Sequence, residues 1–212
     1  MPQSSPSHAR APRLARSRAK VALILASVCA LVTAVLVPLT SHLHAQAASN
    51  VPVTIPSLEG WAPASGTWTP GAGLQIVRPD SADAAGVSTL LSRALTDAGI
   101  TGITEGTGAA ASNAVTLTIN ASRSDLGDEG YQLTVTGNGA QITAATRAGL
   151  LWGARTLEQA VRSGHGSVPA GSVTDIPRFA DRGATLCACG THITTDWIIR
   201  QIDRMSDLKM NY

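Results

Sequence analysis

The sequence predicts an α+β fold, a small sheet with helices on one face. Two stretches carry apolar residues at helical spacing, several others alternate apolar and polar side chains, and glycine-rich turns separate them. Each of these elements has one apolar face, and placing the helices together over one face of a sheet buries those faces against each other. The elements lie in residues 51–175, which are therefore expected to form one domain.

The segment before the first regular element is rich in Pro, Gly, Ser and Thr and lacks sustained periodicity. Residues 48–73 are therefore predicted to be a linker that enters the domain as an irregular strand. Trp61 and Trp68, which lie in it, are expected to pack on the domain surface. A sugar-stacking platform is the alternative, but nothing polar is arrayed beside the two indoles, so packing is preferred.

A short strand and a helix come next. Residues 74–77 are a mostly apolar run, and its length suits a short strand. Between residues 83 and 98 apolar side chains recur at helical spacing, and Gly99 follows as a C-terminal stop. Apolar and polar residues then alternate over 115–120, which predicts a half-buried strand.

The pattern of residues 131–142 is typical of a β-hairpin. Tyr131, Leu133 and Val135 alternate with polar residues, Gly137-Asn138-Gly139 can turn the chain, and Ile142 lies on the returning strand. The glycines of this turn and those around 99–108 are not phosphate loops, because no Lys-Ser or Lys-Thr follows them.

A second helix and a last strand complete the domain. Thr146 can cap the helix, Leu150, Leu157 and Val161 recur on one stripe of it, and Gly164 closes it. A short strand is expected around residues 167–173.

Residues 176–212 are predicted to contain one strand–helix unit. After an Asp-x-Pro-Arg-Phe lead-in, small and apolar residues run from Gly183 to Cys189, and a capped amphipathic helix follows, ending in Lys209-Met210-Asn211-Tyr212. A strand followed by a helix is one unit of a parallel array, and a (β/α)8 barrel needs about eight. The segment is therefore expected to be the first βα unit of an incomplete, truncated barrel.

The N-terminus has the pattern of an export signal. Residues 1–20 carry five basic residues and no acidic one, residues 21–39 form an apolar run without a charged residue, and Ala45-Gln46-Ala47 offers a small-x-small cleavage site. We expect residues 1–47 to be a signal peptide cut after Ala47, giving a secreted or extracytoplasmic protein without stable membrane insertion. The alternative is an uncleaved membrane anchor through 21–39.

Charge and cysteine content exclude several classes of function. The formal net charge is +2, but the leader holds five of the sixteen basic residues, which leaves eleven against fourteen acidic ones. No basic stripe suggests a nucleic-acid partner. Cys187 and Cys189 do not make a disulfide framework, and with His192 they offer at most three metal ligands. We expect small buried residues of a barrel strand there, with no metal and no cofactor.

Several stretches resemble glycoside hydrolase family 20, the β-N-acetylhexosaminidases. Gly130-Tyr-Gln-Leu-Thr-Val-Thr, the returning Ile142-Thr-Ala-Ala-Thr and the helix opening Ala148-Gly-Leu-Leu-Trp-Gly-Ala-Arg-Thr-Leu-Glu-Gln are similar to the accessory α+β domain of that family. Asp175-Ile-Pro-Arg-Phe with Arg182-Gly, and then Trp197-Ile-Ile-Arg-Gln-Ile-Asp through Lys209-Met-Asn, are similar to the first strand and helix of its barrel.

The resemblance implies hydrolysis of terminal N-acetylhexosamines from glycans with retention of configuration, assisted by the substrate's own acetamido group. Glycosidases of this kind depart from the usual two-carboxylate scheme. An Asp orients the acetamido group and an adjacent Glu protonates the leaving oxygen, both from a later barrel strand. No such pair follows Arg182, so no catalytic residue is assigned and the chain is expected to be an inactive N-terminal fragment. A non-catalytic exported module that binds glycan or protein is the alternative.

Arg182 is the one site residue that the resemblance implies. It matches an arginine expected to hydrogen-bond sugar hydroxyls, a task that suits the fixed fork of a guanidinium. The alternative is a surface arginine paired with Asp181 or Asp175. Many members of the family continue with Leu-Asp-x-x-Arg-His where this chain has Leu-Cys-Ala-Cys-Gly-Thr over residues 186–191, which indicates a divergent branch.

Overall fold

A computed structural model describes residues 50–187, 189–190 and 192–212 of the chain. The predicted signal peptide, its cleavage site after Ala47 and the apolar run 21–39 lie outside the described residues. Within the described part of the chain no helix has the length and apolar character needed to cross a membrane.

The fold is mixed α+β and is built on one sheet with the strand order β1-β7-β5-β6-β4-β2-β3. The strands are β1 (Ala62–Trp68), β2 (Gln75–Val77), β3 (Thr104–Gly106), β4 (Ala114–Ile119), β5 (Tyr131–Thr136), β6 (Gly139–Ala144) and β7 (Val168–Asp175). The helices are α1 (Ala82–Asp97), α2 (Arg147–Ser163) and α3 (Thr195–Asp207), with a 3₁₀ turn at Ser124–Leu126.

Half of the strand pairs in the sheet are antiparallel and half are parallel. The pairs β1–β7, β7–β5 and β5–β6 are antiparallel. The pairs β6–β4, β4–β2 and β2–β3 are parallel. Parallel neighbours need a crossover connection, and α1 supplies it between β2 and β3. The short strand β3 lies in the glycine-containing stretch around 99–108, for which the sequence predicted no strand.

Both predicted helices of the domain form, and their caps explain where they begin and end. The Ser81 hydroxyl accepts from the backbone N–H of Ala84 at 3.3 Å, and α1 stops before Gly99, whose φ is +95°. The Thr146 hydroxyl accepts from the N–H of Gly149 at 3.2 Å, and Gly164 caps the end of α2. The two helices pack against each other, and both contact β4.

The predicted linker and entry segment, residues 48–73, contains the first strand. β1 pairs with β7 at one edge of the sheet, with Trp68 opposite Val168. Every residue of β1 except Trp68 is exposed, so the strand lacks the apolar alternation that identifies strands in a sequence. Trp68 is 1% exposed and Trp61 8% exposed, and both belong to the main hydrophobic core. The tryptophans therefore pack, as predicted, but inside the domain.

The close approach of α2 to the hairpin leads to a testable prediction. A Cβ on Gly153 would overlap the Cγ2 methyl group of Ile142 and come within 3.0 Å of the Tyr131 ring. We expect Gly153→Ala to lower the free energy of unfolding by about 1–3 kcal/mol through overpacking. Gly86→Ala in α1 is the matched control, because only Arg147 lies nearby, at 3.9 Å; it should raise stability by about 0.5–1 kcal/mol. Denaturant titration measures both, and equal changes would contradict this packing.

After β7, the strand predicted between Gly183 and Cys189 is not seen among the described residues. The described residues between Gly183 and Cys189 form no strand, and Cys187 and Cys189 are exposed and joined by a disulfide instead of buried in a barrel strand. A strand requires hydrogen-bonded neighbours along its length, and the described part of this stretch has one only at its start, where the N–H of Ala184 donates to the carbonyl of Tyr212. The predicted helix does form as α3, with the Thr194 hydroxyl accepting from the N–H of Trp197.

Candidate functional site

A pocket of ≈ 460 Å³ lies where the end of β7 meets the segment that follows it. Its charged lining residues form three ion pairs, Glu59–Arg178, Glu129–Arg182 and Asp175–Lys209. Its apolar and aromatic lining consists of Pro56, Tyr131, Trp152, Ile176, Pro177 and Phe179. The pocket is therefore electrically balanced.

Glu129 is the centre of one half of the site. It precedes β5 in a loop that is fixed by hydrogen bonds from the Thr146 hydroxyl to the carbonyl of Asp128 and from the N–H of Gly130 to Leu126 at 3.0 Å. Its Oε1 accepts from Trp152 Nε1 at 3.1 Å, and its Oε2 accepts from Arg182 Nη1 at 2.9 Å.

The same carboxylate also holds the end of the chain. Asn211 Nδ2 donates to Glu129 Oε1 at 3.1 Å and to Oε2 at 3.2 Å. Burial alone would raise the pKa of Glu129, but the hydrogen bonds from Arg182, Trp152 and Asn211 outweigh it, and the pKa is lowered from the ordinary glutamate value of 4.5. Glu129 is therefore ionised at neutral pH.

Asp175 and Tyr131 are the centre of the other half. They lie directly opposite each other in the β5–β7 ladder, and the Tyr131 hydroxyl donates to Asp175 Oδ2 at 2.6 Å. Lys209 Nζ reaches both groups, at 2.9 Å from Tyr131 Oη and 2.9 Å from Asp175 Oδ2, and lies 5.0 Å from the centre of the tyrosine ring. Lys209 is 6% exposed.

Burial governs the titration of this half. It lowers the pKa of Lys209 against the opposing effect of Asp175, and it raises the pKa of Tyr131 well above 10, an effect that the neighbouring Asp175 carboxylate reinforces. Tyr131 is therefore a neutral hydrogen-bond donor at neutral pH.

Arg182, the predicted sugar-binding residue, contacts protein groups on most sides. In addition to Glu129, its Nη1 donates to the carbonyl of Phe179 at 2.7 Å, and its Nε donates to the carbonyl of Lys209 at 3.0 Å. Its Nη2 is buried and has no hydrogen-bond partner. Neither Asp181 nor Asp175, the partners weighed from sequence, pairs with it among the described residues; Glu129 does. A contact between Arg182 and sugar stays a prediction.

The chain has one adjacent Asp-Glu pair, Asp128-Glu129, and it lies before Arg182 in the sequence. A general acid at neutral pH needs a raised pKa, and that of Glu129 is lowered. The Arg182 contact therefore makes Glu129 an anchor for a cation and a poor proton donor. The only signal in the sequence was the adjacency itself.

No cluster of three or more His, Cys, Asp or Glu side chains suited to a metal ion occurs among the described residues. The sulfurs of Cys187 and Cys189 are joined to each other, so they present no thiolate ligands.

Comparison with known proteins defines the class. The sequence model of "Glycosyl hydrolase family 20, domain 2" matches residues 51–176. A curated relative, a lacto-N-biosidase of Bifidobacterium bifidum, is 40% identical over 162 residues, which is 76% of this chain and 14% of that protein.

Solved structures agree with this assignment. The N-acetyl-β-hexosaminidase of Streptomyces plicatus, in complex with Thio-NAglucal, superposes with a TM-score of 0.65 at 29% identity, over 76% of this chain and 35% of that one. The β-N-acetylhexosaminidase of Streptomyces coelicolor gives a TM-score of 0.66 at 27% identity, over 76% and 34%. The chain therefore belongs to glycoside hydrolase family 20, and it spans about a third of the length of these solved relatives and 14% of the curated one.

Proposed function

We propose that the protein is an exported glycoside hydrolase that releases terminal N-acetylhexosamine from glycans by substrate-assisted, retaining hydrolysis. The observation that carries the proposal is the match of residues 51–176 to the second domain of family 20. We propose that the matched domain is an accessory domain without catalytic residues, and that residues 176–212 begin the catalytic barrel.

Backbone pairing at the C-terminal end supports the barrel part of this proposal. The carbonyl of Arg182 accepts from the N–H of Tyr212 at 3.2 Å, and the N–H of Ala184 donates to the carbonyl of Tyr212 at 3.2 Å. Tyr212 thus bonds through its N–H and its carbonyl to the two residues on either side of Gly183. This is the hydrogen-bond pattern of neighbouring parallel strands. With α3 as the connection, the arrangement is what the first two strands of a parallel barrel would have where they begin.

The described site supplies no general acid, so the acid and its partner Asp would come from residues other than these. Arg182 would offer only its Nη2 group to a sugar hydroxyl, and it would have to become accessible first. These 212 residues are accordingly proposed to be inactive when prepared alone.

A lacto-N-bioside is a second candidate substrate. The observation that favours it is the 40% identity to a lacto-N-biosidase, against 29% and 27% for the two hexosaminidases. The matched residues lie mostly in the accessory domain. Whether the enzyme releases an N-acetylhexosamine or a lacto-N-biose unit would therefore be decided by residues of the barrel.

The proposed function is tested by sequencing the transcript through and beyond the codon of Tyr212. We expect barrel strands after this codon, in any frame, and an adjacent Asp-Glu pair on a later strand. A stop codon followed by unrelated sequence would contradict the hydrolase proposal and favour a non-catalytic module that binds glycan or protein.

Export is a separate expectation. A reporter fused after residue 50 should appear outside the cytoplasm and be trimmed near Ala47, because the apolar run 21–39 is followed by a small-x-small site. Mass spectrometry of the released reporter locates the cut. A full-length fusion that remains in the membrane would instead indicate an anchor.

A further inference from the structure

The described residues 182–212, here called the C-terminal segment, are attached to the domain mainly by polar contacts. None of the residues of α3 is buried, and Trp197, Ile199 and Ile202 are more than a third exposed. The buried side chain of the segment is instead a cation, Lys209. The segment therefore has no fully buried apolar side chain, and its one buried side chain needs a partner for its charge.

Two cations of the segment enter two different anionic positions on the domain. Arg182 lies against Glu129, and Lys209 lies against Asp175 and Tyr131. We call the four domain residues that receive them, Glu129, Tyr131, Trp152 and Asp175, the docking cluster.

The two positions differ in geometry. Glu129 is oriented by the indole N–H of Trp152, and the Arg182 guanidinium also donates to the carbonyls of Phe179, Ala180 and Lys209. The Lys209 ammonium instead lies near an aromatic ring and donates to two oxygens, Tyr131 Oη and Asp175 Oδ2, from one compact charged group.

The cations also need their own partners because they repel each other. The charge of Arg182 contributes to lowering the pKa of Lys209. A buried ammonium whose carboxylate is removed would be strongly disfavoured. Docking therefore depends on the two carboxylates of the cluster, Glu129 and Asp175, and on the two cations that they bind.

We propose that the docking cluster fixes the position of the C-terminal segment on the domain, and that Arg182 and Lys209 are positioning residues for the start of the barrel. The proposal deepens the proposed function, on which it rests in treating the segment as a barrel start. The tests of docking involve no sugar. The docking proposal can therefore fail while the hydrolase proposal stands, and the hydrolase proposal can fail while the docking proposal stands.

The first test is hydrogen exchange by NMR in the 212-residue protein. The N–H groups of Ala184, Asn211 and Tyr212 bond across the segment. In Glu129→Gln and Lys209→Met they should exchange at least about tenfold faster than in the unmodified protein, because a buried ion pair that loses one partner leaves an uncompensated charge or an empty polar site. Lys209 has φ = 57°, and methionine meets the same backbone geometry.

Arg147→Gln is the matched control. It removes an exposed pair with Asp83, at 3.8 Å and about half exposed, so exchange at the three amides should not change. Unchanged exchange in both Glu129→Gln and Lys209→Met would overturn the proposal. So would an equal acceleration at Leu133 and Ile142 in the hairpin, because the cluster would then serve the whole domain.

The second test follows the titration of Glu129 through its partner, the indole N–H of Trp152. Because the docked carboxylate has a lowered pKa, its contribution to docking is present above the ordinary glutamate range and is lost as the pH falls through the lowered value. The groups facing Glu129 are Arg182, Asn211 and Trp152, with the pairs Asp175–Lys209 and Glu59–Arg178 also on the pocket wall.

We expect the Trp152 indole signal to shift with a midpoint below 4.5, and the midpoint to move upward in Arg182→Gln. Glu129→Gln should abolish the shift. A midpoint that does not change in Arg182→Gln would show that the arginine does not hold this carboxylate, and would overturn its assignment as a positioning residue.

Discussion

Replacing Trp68 by alanine is expected to destabilise the domain by about 3–5 kcal/mol, the range for removing a large aromatic side chain from a core. Trp68 ends the edge strand β1, is 1% exposed and packs in the main core. Its loss would leave a cavity and loosen the β1–β7 edge. Denaturant or thermal unfolding of residues 48–212 measures the effect.

Two controls separate the contribution of burial from other roles of this residue. Trp68→Phe should cost much less, because the indole Nε1 has no hydrogen-bond partner to lose. Thr67→Ala, at the exposed neighbouring position, should change stability by less than about 0.5 kcal/mol. If Trp68→Ala kept its stability but lost affinity for a glycan, the rejected stacking-platform interpretation would be correct.

The polypeptide of 212 residues, assayed alone, is expected to give no hydrolysis of N-acetylhexosaminides above background. General acid catalysis alone contributes about 10²–10⁴ in rate. The single adjacent Asp-Glu pair of the chain places Glu129 against Arg182 with a lowered pKa, so it does not hold a proton for the leaving oxygen at neutral pH. Contacts by Arg182 equal in substrate and transition state would not accelerate the chemical step.

The assay uses a chromogenic N-acetylglucosaminide with the purified protein and its Arg182→Ala and Glu129→Gln variants. Turnover that disappears in either variant would contradict the prediction. It would mean that this pocket carries out chemistry despite the ionised state of Glu129.

Local signals in the sequence gave the helices and the hairpin correctly. Thr146 caps α2 and Gly164 closes it, and the turn after Val135 joins β5 to β6, because caps and tight turns depend on residues close together in the chain. The family resemblance, which depends on the order of several such stretches, was confirmed by the match to residues 51–176.

Long-range features were missed for physical reasons. β1 shows no apolar alternation because it is an exposed edge, and its partner β7 lies about a hundred residues away. The Glu129–Arg182 pair also joins residues far apart in sequence, and charges alone do not indicate which acid meets which base. The described residues between Gly183 and Cys189 do not form the expected strand, because extended backbone needs a neighbour along its whole length.

The measurement that tests the hydrolase assignment most directly is an assay of the protein produced from its natural transcript, read through and beyond codon 212. Chromogenic N-acetylglucosaminide and lacto-N-bioside serve as the two substrates, and proton NMR identifies the first anomer released. We predict hydrolysis of at least one β-linked substrate with the β-anomer formed first, since substrate-assisted hydrolysis retains configuration. Absence of hydrolysis of both, or first release of the α-anomer, would contradict the assignment.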